Sequence, residues 1–193
     1  LIGAKDLQEK FVINLESVDC STLLDYVFSL AIADNLSDFQ NKLKFIRYKL
    51  GEVSFYSRNH FFSQWIKNNA DYVVNISGNF KEAVCGTKKL NRKTDNGYWV
   101  DGLPVFEEEI CYLPRKILLD ELFYSNFKNG DIVGFTTEKE GLDVTHLGFI
   151  SVKNSEIILR HASLQGKVIE ENLKDYLIKN KEASGLIIVR AKD

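Results

Sequence analysis

The sequence predicts an α+β fold in which helices come first and a largely antiparallel β-sheet follows. Apolar residues recur at helical spacing through the first third of the chain, and short β-branched runs fill the last third. Of the 193 residues, 45% are hydrophobic, enough for a sizeable core. Helices followed by strands are typical of the α+β class. We therefore predict a single domain over 1–193, with 70–128 as an insertion within it.

The first predicted helix places a cysteine at its start. Asp19 precedes Cys20 and can cap the helix, because its carboxylate can accept the free N–H groups of the first turn. The apolar residues that follow at helical spacing are Leu23, Leu24, Val27, Phe28, Leu30 and Ala31.

Two further helices are predicted before the sheet. One covers Ser37–Leu50 and ends at Gly51, and the next covers Arg58–Asn69. The segment 80–128 is the least regular part of the sequence, with one more helix predicted near 115–124.

The last third contains four runs that are typical of strands: Asp131–Thr136, Leu147–Val152, Glu156–Arg160 and Leu186–Arg190. Turns are predicted at Asn129-Gly130 and Lys153-Asn154-Ser155. A helix near Glu171–Asn180 interrupts the series.

Two of the three histidines should meet on this sheet. If Lys153 and Asn154 form the hairpin loop, paired residues have numbers that sum to 307, so His146 lies opposite His161. Directly opposed residues share one face, with Cβ atoms about 5 Å apart. A different loop length would shift the register but leave the two histidines as neighbours.

A cysteine at a helix start and a histidine pair can form a nucleophilic site. The helix N-terminus favours a thiolate on Cys20, and an imidazole can hold the proton as a thiolate–imidazolium pair. His146 would be the base and His161 its orienting group. The alternatives are a buried cysteine beside a cross-strand histidine pair, or a zinc site. No spacing such as Cys-x-x-Cys or His-Glu-x-x-His supports zinc, so no metal and no cofactor are predicted.

Charge and composition limit the partners. The formal net charge of −2 gives no basic field for nucleic acid, and no apolar run is long enough to span a membrane. Cys85 and Cys111 could pair in an oxidising compartment, which would leave Cys20 free. The chain starts at Leu1 and has no methionine, as expected of a trimmed or processed protein. The sequence predicts no oligomeric state.

Several motifs resemble one enzyme superfamily. DCSTLLDYV (19–27) resembles the entry to the catalytic helix of NlpC-type, papain-like cell-wall cysteine peptidases, and GDIV (130–133) resembles the strand before their histidine. GLDVTHLGF (141–149), LRHAS (159–163) and SRNHFFSQWI (57–66) are similar to the N-acetylmuramoyl-L-alanine amidase-like branch. Thr22 stands where many of these enzymes have glycine, which also fits that branch.

The resemblance implies a papain-like fold and a function. Cys20, His146 and His161 would be the triad of a cysteine amidase that acts on muropeptides in the bacterial envelope or periplasm, without a cofactor. It would cut the amide bond between N-acetylmuramic acid and L-alanine through a thioester. The alternatives are a γ-D-glutamyl endopeptidase, an acyltransferase and a non-catalytic muropeptide-binding module.

Five further residues are predicted to contact substrate: Asp19, Ser21, Arg58, His60 and Asp143. Arginine suits a substrate carboxylate, because its guanidinium can form two parallel hydrogen bonds with it. Each position also has a plain structural interpretation, such as the helix cap at Asp19, the solvated helix start at Arg58 and His60, and an ordinary turn at Asp143.

Overall fold

A computed structural model describes residues 8–192 and shows an α+β architecture. The five α-helices of this part of the chain are α1 (Cys20–Ala31), α2 (Leu36–Arg47), α3 (Phe62–Asn68), α4 (Arg115–Leu118) and α5 (Leu173–Lys179). Short 3₁₀ turns occupy Lys49–Gly51, Phe55–Ser57, Ser77–Asn79 and Glu121–Asn126.

The strands form one sheet with antiparallel pairing. They are β1 (Val73–Asn75), β2 (Val84–Leu90), β3 (Phe106–Pro114), β4 (Ile132–Thr137), β5 (Val144–Lys153), β6 (Glu156–Ser163), β7 (Lys167–Asn172) and β8 (Ala183–Ala191). Their order is β2-β3-β8-β4-β5-β6-β7, and β1 also pairs with β8. The prediction of helices followed by an antiparallel sheet is confirmed.

The central strands of the sheet, β4 and β8, are buried on both faces. Neighbouring residues of β8 alternate between two cores, with Ile187 in one and Ile188 in the other, as the pleat requires. One core joins the sheet to α1 and α3 through Leu24, Phe28 and Trp65. The other core contains residues of α4 and α5. Helices therefore cover both faces of the sheet. Their packing places α1 and α5 near β5 and β6, the strands that carry His146 and His161.

The β5–β6 hairpin has a different register from the predicted one. Its two-residue turn is Asn154-Ser155, and both residues have positive φ, of 49° and 68°. Such φ values suit the tight turn that matches the twist of a hairpin. The numbers of paired residues therefore sum to 309, as for Phe149 and Arg160. The prediction of 307 was wrong, and His146 and His161 are diagonal neighbours.

The third helix is shorter than predicted. It begins at Phe62, because Arg58 is held extended by a bridge to Tyr48. Arg58 and His60 therefore lie in the segment before the helix and do not head it. The second helix is also displaced, since it runs over Leu36–Arg47 with Asn35 as its cap.

The middle of the chain contributes strands that the sequence did not predict. β2 and β3 form a hairpin, and β3 continues the sheet through its pairing with β8. Cys85 lies opposite Cys111 in this hairpin, and the two form a disulfide. Whether 70–128 is an insertion specific to a family stays a prediction.

The longest helices among residues 8–192 have 12 residues. None of the described helices has both the length and the apolar character needed to cross a bilayer.

Candidate active site

Cys20 is the first residue of α1, as predicted. The Asp19 carboxylate accepts the Thr22 backbone N–H at 2.7 Å, and the Thr22 hydroxyl accepts the Asp19 backbone N–H at 2.8 Å. This reciprocal cap fixes where the helix starts. The first backbone N–H groups of a helix have no partner within it, so the Cys20 thiol lies beside unused donors.

The thiol opens into a cavity of about 210 Å³ between the start of α1, the segment before α3 and the start of β5. All five residues predicted to contact substrate, Asp19, Ser21, Arg58, His60 and Asp143, line this cavity. Cys20 and His146 line it as well. The backbone N–H of Leu147, the residue after His146, lowers the pKa of the thiol, against the larger effect of burial.

Behind the cavity, two histidines and a glutamate form a hydrogen-bonded series that we call the relay. His146 Nε2 lies 2.8 Å from His161 Nδ1, and His161 Nε2 lies 2.9 Å from Glu171 Oε1. Because His146 uses Nε2 for this bond, its Nδ1 is the nitrogen left for the thiol. The predicted histidine pair therefore forms, although its register differs from the predicted one.

Tyr176 of α5 covers the relay. Its ring stacks on His146, with centroids 6.0 Å apart, and meets His161 edge-on at 5.2 Å. The phenol oxygen of Tyr176 accepts a hydrogen bond from the Asn180 amide at 3.3 Å. This packing shields one side of the histidine rings and holds their planes nearly perpendicular, at 88°.

Burial dominates the protonation of Cys20 and His146. Burial raises the pKa of the Cys20 thiol, and the Asp19 carboxylate raises it further. Burial, with the nearby His161, lowers the pKa of His146 to about 4. Both directions favour a neutral thiol beside a neutral imidazole, whereas the sequence predicted a thiolate–imidazolium pair. The partial positive charge of the helix N-terminus does not outweigh desolvation here.

Arg58 and His60 each have a protein partner. The Arg58 guanidinium forms an ion pair with the buried Glu9 carboxylate through Nη2, and its Nε is buried without a partner. His60 Nε2 lies 2.7 Å from the Phe55 carbonyl oxygen. Burial lowers the pKa of His60. The Arg58 charge is therefore already balanced, which weakens the prediction that it binds a substrate carboxylate.

Asp143 supports the start of α3. Its carboxylate accepts hydrogen bonds from the Ser63 backbone N–H at 2.7 Å and from the Ser63 hydroxyl at 2.8 Å. It also accepts the Val144 backbone N–H at 2.7 Å. Asp143 is buried, and its two bonds with Ser63 tie the wall of the cavity to α3. The structure thus gives it a role that the sequence interpretation as a turn residue did not include.

A second buried ion pair lines the same cavity. The Arg47 Nε donates to Asp25 Oδ2 at 2.9 Å, and the Trp65 indole N–H donates to the other carboxylate oxygen at 3.1 Å. Burial raises the pKa of Asp25 to about 6, although Arg47 opposes the shift. With Arg58 and Glu9, these residues form what we call the ion-pair cluster.

Glu171 is the functional candidate that sequence reasoning missed. It lies in β7, and no strand was predicted there. One signal was available, because β-strand residues in register with His161 could have been searched for a carboxylate. His161 pairs with Ile169, and Glu171 is the next residue on the same face.

Among residues 8–192, no group of three or more histidine, cysteine, aspartate or glutamate side chains is arranged to hold a metal ion. Three of the four relay nitrogens are used in the bond between the histidines and the bond to Glu171.

A family model described as AmiA-like, N-acetylmuramoyl-L-alanine amidase-like, matches residues 1–186. No curated protein matches the chain.

Solved structures share the fold over nearly the whole chain. An N-acetylmuramoyl-L-alanine amidase from Bacteroides uniformis ATCC 8492 is 27% identical, with a TM-score of 0.83 over 100% of this chain and 92% of its own. A Bacteroides fragilis protein named as a candidate xylanase is 27% identical, with a TM-score of 0.79 over 96% and 91%. Protein LPG0564 from Legionella pneumophila str. Philadelphia 1, matched by the family model DUF1460, is 26% identical, with a TM-score of 0.80 over 98% and 80%.

Proposed function

This chain belongs to the N-acetylmuramoyl-L-alanine amidase-like family, and we propose that it is a papain-like cysteine amidase acting on peptidoglycan fragments. The bond cut is the amide between N-acetylmuramic acid and L-alanine. Cys20, His146 and His161 form the triad. The observation that carries the proposal is the histidine pair, hydrogen-bonded at 2.8 Å, beside a cavity that also contains the cysteine.

The first chemical step is attack by the thiol. Cys20 Sγ bonds to the amide carbonyl carbon while its proton moves to His146 Nδ1. A neutral starting pair supports proton transfer during the attack, with His146 as a general base. The oxyanion that forms is stabilised by the Cys20 backbone N–H and a nearby donor at the start of α1.

The second step releases the stem peptide. His146 returns its proton to the amide nitrogen, the C–N bond breaks, and the muramoyl group is left as a thioester on Cys20. Water then attacks the thioester carbonyl with His146 again as base, and the thiol is restored. His161 keeps the His146 ring oriented through both steps.

The cavity supports a peptide substrate better than glycoside hydrolysis. Most glycosidases need two carboxyl groups free to flank the sugar bond. Here Asp25 accepts bonds from Arg47 and Trp65, Asp143 from Ser63, and Asp19 caps α1. Asp19, Ser21, Arg58, His60 and Asp143 stay proposed substrate contacts, since all line the cavity.

We also propose a single domain over 1–193 and an exported location, in the periplasm or cell envelope. The shared sheet supports the single domain. The Cys85–Cys111 disulfide supports export, because disulfides persist in oxidising compartments. The peptidoglycan substrate lies there as well.

The test is mass spectrometry of muropeptides incubated with the wild type, Cys20→Ala and Ser21→Ala. Intact stem peptide, released only when Cys20 is present, supports the amidase. The Ser21→Ala variant keeps the thiol but removes a proposed substrate contact beside it, so it should weaken release without abolishing it.

Two results would replace the proposal. A dipeptide cut from within the stem identifies a γ-D-glutamyl endopeptidase that uses the same thiol. Equal binding of muropeptide by the wild type and Cys20→Ala, with no cleavage by either, identifies a binding module.

A further inference from the structure

The third member of the relay, Glu171, has no role in the proposed triad. It lies at the end of β7, immediately before α5, and its Oε1 is 2.9 Å from His161 Nε2. The Lys179 ammonium lies 3.6 Å from its other oxygen, Oε2. The Glu171 side chain is 22% exposed, whereas that of His161 is only 4% exposed. The carboxylate therefore faces a ring that has little access to water.

The hydrogen-bond chemistry of the relay has a direction. An ionised carboxylate only accepts hydrogen bonds, so His161 Nε2 must carry the proton and donate it to Glu171. A neutral imidazole has one donor nitrogen and one acceptor nitrogen. His161 Nδ1 is then an acceptor, and His146 Nε2 must donate to it. His146 Nδ1 is left with its lone pair free.

We propose that Glu171 is a positioning residue that acts through His161 to hold His146 in the tautomer able to take the Cys20 proton. This inference deepens the proposed amidase function and rests on it for the identity of the reaction. No bond is made or broken at Glu171. When His146 becomes an imidazolium during attack, the carboxylate charge also stabilises it through His161.

Charged and titratable groups on three elements face the relay. Cys20 comes from the start of α1, Tyr176 and Lys179 from α5, and Glu171 from β7. Among these groups, Glu171 is the one that hydrogen-bonds to His161. Its carboxylate also raises the pKa of His146, against the larger lowering by burial.

The sharpest variant is Glu171→Gln, which keeps size and shape. A glutamine amide can donate as well as accept, so it permits the reverse order of hydrogen bonds. In that order His146 carries its proton on Nδ1 and cannot act as the base for Cys20. Glu170→Gln is the matched control, since Glu170 is the adjacent residue but pairs with Arg160 and Lys153.

The experiment combines kinetics with nitrogen NMR. The chain has three histidines, so the imidazole nitrogens of His146 and His161 can be assigned in labelled protein. We expect one tautomer for each ring in the wild type and in Glu170→Gln, and a mixture in Glu171→Gln. We expect kcat on muropeptide to fall about 10- to 100-fold in Glu171→Gln with KM unchanged. Glu171→Asp, which restores an acceptor-only group, should recover part of the loss.

A second measurement works without the substrate. Iodoacetamide alkylates Cys20, the free cysteine of the described chain, as Sγ bonds to the CH₂ carbon, iodide leaves and the proton passes to the base. The rate at neutral pH should fall about tenfold in Glu171→Gln. If the wild type cuts no muropeptide, the amidase proposal fails, but alkylation and NMR still test Glu171. Wild-type tautomers and alkylation rate in a folded Glu171→Gln protein would overturn the inference.

Discussion

The relay and the ion-pair cluster line or adjoin the same cavity but use burial in opposite ways. Burial keeps His146 of the relay and the neighbouring Cys20 neutral, so a proton can move between them. In the ion-pair cluster, Asp25 faces Arg47 and Glu9 faces Arg58, so each charge has a fixed partner. Buried groups with an open lone pair can react, whereas buried charges that face a charge of opposite sign hold the walls in place.

The largest expected difference between the two clusters comes from removing His146, the proposed base. We expect His146→Gln to lower kcat on muropeptide by at least about 10³-fold, because no group remains to take the thiol proton. Its free energy of unfolding at pH 7 should stay within about 1 kcal/mol of the wild type. Steady-state kinetics and urea unfolding measure the two effects. A residual rate within tenfold of the wild type would assign the base to another residue.

The ion-pair cluster should show the reverse pattern. Arg47→Met leaves the Asp25 carboxylate buried without its partner, so we expect the free energy of unfolding to fall by about 3 kcal/mol. The rate per folded molecule should change little. The double variant Asp25→Asn/Arg47→Met removes both charges and should regain part of the loss. A loss below about 0.5 kcal/mol in Arg47→Met would show that the pair contributes little stability.

The two clusters should also give opposite pH dependence of stability. The pKa of His146 is lowered to about 4 on folding. Its contribution to the free energy of unfolding is therefore present above pH 6.5 and is lost as the pH falls toward 4. The pKa of Asp25 is raised to about 6, so its contribution is largest below the unfolded value and is lost as the pH rises through 6.

Urea unfolding of His146→Gln and Asp25→Asn between pH 7 and pH 4 measures these contributions. Relative to the wild type, His146→Gln should gain stability as the pH falls and Asp25→Asn should lose it, by on the order of 1–2 kcal/mol each. If the free energy of unfolding of both variants changed with pH as that of the wild type does, the opposite pH dependence of the two clusters would be contradicted.

The smallest expected effect concerns the helix cap. Asp19→Asn keeps an acceptor for the Thr22 backbone N–H, so stability should change by less than about 0.5 kcal/mol. It removes a carboxylate that raises the pKa of Cys20, so the pH midpoint of iodoacetamide alkylation should fall. Asp38→Asn, in the first turn of α2, is the matched charge control. An unchanged midpoint would show that the Asp19 charge does not contribute to the raised pKa of the Cys20 thiol.

Local sequence signals located much of the site. Asp19 before an apolar helical repeat predicted the start of α1, and short β-branched runs predicted β5 and β6. These features depend on neighbours along the chain, so they can be read from spacing. The predicted hairpin register was wrong by two because the sequence does not show which two of Lys153, Asn154 and Ser155 adopt positive φ.

Only the tertiary structure decided the rest of the site. Glu171 reaches His161 because β7 pairs with β6, and Glu9 reaches Arg58 across 49 positions of the chain. The sequence determined the α+β class, the cysteine at a helix start and the nearness of two histidines, since short-range periodicity encodes all three. Burial decided that Cys20 and His146 are neutral, because desolvation depends on every element packed around a group.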